Sequence, residues 1–170
     1  MKRIGMFLDV SNLYYCVAKH FAGKRLDYNK LLELARQDGE VTKAVCYGAQ
    51  LAEEAQAFIS CLKHMGFETK YKTPKVYRDA KNPNKEVRKA NWDIGIAVDI
   101  LKVISRLDMV ILGSADGDFT PLVQYLTEQG VAVKVIGCEI SRELKDAASE
   151  FMEVDDMMLE SKFNETTKTT

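Results

Sequence analysis

The chain has 170 residues, 46 % of them apolar and 29 % charged. That balance is ordinary for a globular domain and excludes a wholly disordered or collagen-like chain; the length suits one domain. Its 24 basic residues stand against 25 acids, so an anionic polymer would have to be met by a local basic patch rather than by net charge.

Along the chain, strand-like and helix-like segments alternate. Ile4 to Leu8 reads as a buried strand ending at Asp9, and Leu13, Tyr14, Val17, Ala18 and Phe21 form a helical stripe that stops near Gly23. A second helix is expected over 28–36, a strand over 41–49, and a helix over 51–65 closed by Gly66. Residues 67–71 suit a strand. Residues 73–91 have no period and read as a loop broken by Pro74 and Pro83. A helix follows over 92–105, with Ile96, Ala97, Ile100, Leu101 and Ile104 as its apolar stripe. Then come a strand over 109–112, a helix over 121–129, a strand over 131–136, a short helix over 141–149 and a last strand over 151–154. The polar, Thr-rich end is expected to be disordered.

This alternation predicts an α/β fold, a three-layer α/β/α sandwich around a mostly parallel sheet. Such sheets bind ligands beyond the carboxyl ends of their strands. Asp9 ends the first strand, Asp116 and Asp118 follow the 109–112 strand, and Asp93 opens a helix. Singly, each acid has an ordinary use as a helix cap or turn former. Thr120 before Pro121 is the better cap for its helix, which frees Asp118. Together, four acids at one edge ask for raised pKa values or a bound cation. With only His20 and His64 and no cysteine cluster, the donors suit a hard ion, Mg²⁺ or Mn²⁺, rather than zinc. One or two such ions serve phosphodiester hydrolysis.

Asn12 and Ser114 are placed to orient a ligand or an acid. Asp99, about 240° round the helix from Asp93 at ~100° per residue, is a weaker additional acid. Residues 70–89 hold eight Lys and Arg against two acids, with Tyr71, Tyr77 and Trp92 interleaved or adjacent. Such a stretch can neutralise phosphates and stack on unpaired bases; Lys85, Arg88 and Lys89 are its best backbone contacts.

Cys16, Cys46, Cys61 and Cys138 lack C-x-x-C spacing and are expected to be reduced core residues. The apolar stretch before Asp9 is too short for a signal peptide, and no run spans a membrane. The expectation is a cytoplasmic protein without a membrane partner; a homodimer would suit it, symmetric dimers being common.

Three blocks, Phe7-Leu8-Asp9-Val10-Ser11-Asn12-Leu13, Asp93-Ile94-Gly95-Ile96-Ala97-Val98-Asp99 and Ser114-Ala115-Asp116-Gly117-Asp118-Phe119-Thr120-Pro121, occur in that order. In them the chain resembles the NYN domain family, the LabA-like branch of the PIN-like nucleases, over about 3–158. The resemblance implies a domain over 1–158 with a tail over 159–170, a PIN-like sandwich, and a Mg²⁺- or Mn²⁺-dependent ribonuclease. It matches Asp9, Asp93, Asp116 and Asp118 to the family's acidic cluster, Asn12 to its early Asn and Asp99 to a second middle acid. The sequence departs where the family often has Gly-Asn, here Val10-Ser11, and Ser-Gly, here Ser114-Ala115. A non-catalytic RNA-binding module is the alternative. An aspartyl-phosphate phosphohydrolase is disfavoured by Ser11, two residues after Asp9, where that chemistry wants an acid.

Overall fold

A computed structural model describes residues 1–49, 53–78 and 80–160, without the side chains of 53, 54 and 87–89. Six parallel strands form one sheet: β1 (Arg3–Asp9), β2 (Glu40–Ala49), β3 (Glu68–Lys72), β6 (Met109–Gly113), β7 (Ala132–Gly137) and β8 (Glu150–Glu153). Their order is β3-β2-β1-β6-β7-β8. Two more strands, β4 (Lys75–Arg78) and β5 (Glu86–Lys89), pair antiparallel as a separate ribbon.

The helices are α1 (Val10–His20), α2 (Tyr28–Asp38), α3 (Glu53–His64), α4 (Asp93–Val103), α5 (Thr120–Glu128) and α6 (Arg142–Ala147). Side chains alternate across a strand, so β1 sends Ile4, Met6 and Leu8 into one core and Phe7 into the other. The first core is closed by Leu13 and Val17 of α1, Leu31 and Leu32 of α2 and Leu62 of α3. The second is closed by Ile96 and Ile100 of α4, Val123 and Leu126 of α5 and Leu144 of α6. The expected three-layer sandwich is therefore present, with α1–α3 on one face and α4–α6 on the other.

Several expectations need correcting. Residues 73–91 are no simple loop: they hold the β4–β5 ribbon, whose short and charged strands hide any alternation. Tyr14 and Leu101 are not core residues; they are 66 % and 43 % exposed. Thr120 does not cap α5, since Phe119 stands at the cap position and the Thr120 hydroxyl is buried without a partner. Cys16 and Cys138 are joined in a disulfide, not reduced; Cys46 is buried and Cys61 exposed. The packed body runs past Met158: Leu159 is buried and bridges Leu26, and the Glu160 N–H bonds the Arg25 carbonyl. The Thr-rich end, 161–170, lies outside the described residues.

Candidate metal centre

The strand order reverses direction of travel at β1. The chain runs outward from β1 through β2 to β3, then returns to the other side of β1 with β6. At such a switch the loops leaving the two central strands part, and the gap between them is where open parallel sheets hold ligands. Asp9 is the last residue of β1, and Asp116 lies three residues past the end of β6.

Asp9 does two things. Its carboxylate accepts the Asn12 N–H at 3.1 Å and so caps α1. Strand alternation also turns it to the α4 side of the sheet, the side of Phe7. Burial, with repulsion from Asp93 and Asp116, pushes its carboxyl from 3.8 up to about 6, against the lowering effect of the Asn12 hydrogen bond.

Asp93 is the first residue of α4 and half-buried. Asn91 brackets it: the Asn91 side-chain oxygen accepts the Asp93 N–H at 2.8 Å and its amide donates to Asp93 Oδ2 at 2.9 Å. Burial raises the Asp93 carboxyl, and Asp116 and Asp118 raise it further. Asp116 accepts the Asp118 N–H at 2.9 Å, capping the 3₁₀ turn Gly117–Phe119. That turn points Asp118 into solvent on the same side.

Carboxylate oxygens of Asp93, Asp116 and Asp118 lie within 4.8 Å of one another. Three hard oxygen donors at that spacing fit a divalent ion that keeps several waters, as Mg²⁺ does. Asp9 stands outside that triplet but within its electrostatic reach.

The expected orienting residues act on the backbone. Asn12 Oδ1 accepts the Ala115 N–H at 3.1 Å, so it fixes the loop carrying Asp116 rather than a ligand or a carboxylate. Ser114, fully buried, accepts the Asp116 N–H at 3.3 Å. Behind this loop Gly137 leaves room that no other residue would: a Cβ there would stand 2.9 Å from the Ala115 Cβ. The Cys16–Cys138 disulfide ties α1 to the chain just past Gly137, one turn beyond Asn12.

Asp99 is not brought into the cluster. Burial opposes its ionisation, but Lys70 at 2.7 Å and the Tyr47 hydroxyl at 2.9 Å outweigh this and hold its carboxyl below the usual range. It is a packing ion pair on the flank of α4, and Lys70 is spent on it.

The basic segment is anchored beside Asp93. Lys72, just before the ribbon, donates to the Asn91 carbonyl and lies 4.3 Å from the Trp92 ring centroid. The Trp92 indole N–H bonds the Gly48 carbonyl at 2.9 Å. Both feet of the ribbon are thereby clasped at the acid edge. Lys85 is exposed in its turn; the side chains of Arg88 and Lys89 lie outside the described residues. Asn91 escaped the sequence reading, although an Asn two residues before an acid that opens a helix is a recognisable turn signal.

Comparison with known proteins identifies the family and the fold. A family model described as "NYN domain" matches residues 3–157. The "Low amplitude and bright protein LabA" of Synechococcus elongatus (strain ATCC 33912 / PCC 7942 / FACHB-805) is 27 % identical over 160 residues, covering 91 % of this chain and 85 % of the relative. The crystal structure of VPA0982, a protein of unknown function from Vibrio parahaemolyticus RIMD 2210633, superposes with a TM-score of 0.82 at 31 % identity, covering 93 % of this chain and 96 % of the other.

Proposed function

This chain belongs to the NYN domain family, and from that premise we propose that it is a metal-dependent ribonuclease that hydrolyses phosphodiester bonds within single-stranded RNA. The observation that carries the reading is the convergence of Asp93, Asp116 and Asp118 within 4.8 Å at the switch point of the sheet, with Asp9 alongside. Asp93, Asp116 and Asp118 would hold a Mg²⁺ or Mn²⁺ ion, with Asp9 as the fourth acid. When bound, that ion supplies Lewis-acid polarisation of the phosphate and a more acidic water.

The remaining work falls to the chain. Asn12 and Ser114 hold the loop that presents Asp116, and Asn91 holds Asp93. Burial raises Asp9 and Asp93, the neighbouring carboxylates raise them further, and that shared negative charge is what a cation would neutralise. RNA would itself be repelled by bare carboxylates. The basic ribbon rooted beside Asp93 supplies the opposing attraction, with Lys85, Arg88 and Lys89 as its backbone contacts. Among the described residues no helix is long and apolar enough to cross a membrane.

The test is cleavage of a single-stranded RNA by the purified chain with Mn²⁺, with and without EDTA, beside Asp93→Asn. Cleavage lost in both controls supports the mechanism. Cleavage that survives both defeats it, and tight binding without cleavage under either metal would identify a non-catalytic RNA-binding module instead.

A further inference from the structure

We infer that Tyr77, on the β4–β5 ribbon, is the platform on which an unpaired base of the RNA stacks, with Lys75 beside it for a backbone phosphate. The inference rests on the ribonuclease reading for its ligand and adds the residue that meets a base.

Three aromatic residues lie in or next to the basic segment, and the structure leaves one of them open. Tyr71 is half-buried: its ring packs on Gly48, where a Cβ would stand 2.6 Å from it, and its hydroxyl is buried. Trp92 is engaged by the Tyr47 ring at 5.4 Å between centroids, by the Lys72 ammonium and by the Gly48 carbonyl. Tyr77 is 52 % exposed, and among the described residues it makes no hydrogen bond or ring contact. It belongs to neither core of the sheet.

The charges around Tyr77 select its occupant. Tyr77 pairs with Val87, and Lys75 with Lys89. Side chains alternate across a strand, so positions 75, 77, 87 and 89 share one face of the ribbon: lysine, tyrosine, valine and lysine, with no acid among them. The other face sets Glu86 opposite Arg78. Lys75 is exposed and, among the described residues, has no ion pair. An open ring flanked by an unspent cation suits a ligand whose flat faces alternate with negative charges, which is a single strand of nucleic acid. An apolar peptide would match the ring but not the lysines, and a duplex keeps its base faces stacked inside. Position 87 is six residues before Asp93, at most ~22 Å along an extended chain. A base on Tyr77 and a phosphate at the acids can therefore belong to one strand.

The test measures binding by the full chain in EDTA, so that cleavage plays no part. By fluorescence anisotropy with a short labelled single-stranded RNA, Tyr77→Ala should weaken binding about tenfold, and Tyr77→Phe should keep it. The slope of log K against log salt should be the same for both variants and the unaltered chain, because stacking a base neutralises no charge. A ribbon merely disordered by the substitution would lose phosphate contacts and flatten that slope. Binding of a double-stranded RNA should not respond to Tyr77→Ala. Single-stranded RNA held as tightly by Tyr77→Ala as by the unaltered chain overturns the proposal. So does a loss that flattens the slope, extends equally to the duplex or is shared by Tyr77→Phe; all these results leave the ribonuclease reading standing. A chain with no affinity for single-stranded RNA would remove that reading and this inference together.

Discussion

The Asn12 side-chain oxygen accepts the Ala115 N–H at 3.1 Å across 103 residues of sequence. This bond joins the first turn of α1, capped by Asp9, to the loop that presents Asp116. Two acids from distant parts of the chain are thus held by one amide. Asn12→Ala should leave the Ala115 N–H unsatisfied and cost about 1–3 kcal/mol of stability. It should also weaken Mn²⁺ binding, and Asn12→Asp, which keeps an acceptor, should recover the stability. Chemical denaturation and calorimetric metal titration check both.

Asp9 gives a pH dependence with a definite sign. Its carboxyl is raised from 3.8 to about 6, so between those values the folded chain holds a proton that the unfolded chain has released. Stability of the metal-free protein should therefore fall as pH rises from about 4 to 6. Asp9→Asn keeps a cap for α1 and removes the charge. It should stabilise the metal-free protein at pH 7 by about 1–3 kcal/mol, an advantage that vanishes near pH 4. Thermal melts of both proteins across pH decide this.

Metal should act in the opposite sense. Mn²⁺ or Mg²⁺ at a hundredfold excess over its dissociation constant should stabilise the native protein by about 2.7 kcal/mol. Asp93→Asn should abolish most of that gain, while Asp99→Asn should keep it, because Asp99 pairs with Lys70 and not with the cluster. Melting with and without EDTA makes the comparison.

The ribbon can be tested through salt. Replacing Lys85, Arg88 and Lys89 together by Gln should weaken binding of single-stranded RNA similarly for all sequences. It should also flatten the plot of log K against log salt by about two, at ~0.7 for each phosphate left without its cation. Filter binding at several salt concentrations reads this out. An unchanged slope would remove these residues from the interface.

The Cys16–Cys138 bridge links positions 122 residues apart. Its reduction by a dithiol, or Cys16→Ser, should lower stability by about 2–4 kcal/mol. Urea unfolding with and without reductant measures it.

The fold and the acids were legible for physical reasons. Buried parallel strands read as apolar runs, and an acid where such a run stops is visible without coordinates. What could not be read lay where the signal is not periodic. The β4–β5 strands are four residues each and charged, so they show no alternation. Nothing in the spacing of Cys16 and Cys138 marks them as partners, since their meeting depends on α1 packing near the end of β7. Leu101 fits a helical stripe, and only the structure shows it exposed. Thr120 before Pro121 has the form of a cap, but Asp116 had already started a 3₁₀ turn ahead of it. Asp99 lies near Asp93 in sequence, yet Tyr47 and Lys70, from β2 and β3, hold it away.

The central position of β1 has a consequence for how the protein is made. Asp9 is made about 100 residues ahead of β6, its neighbour at Met109–Gly113, and of the carboxylates at 116 and 118. A nascent chain therefore carries Asp9 through that whole interval without the other acids to complete the set. Cutting the protein between β3 and β6 would leave two fragments, neither holding all four acids.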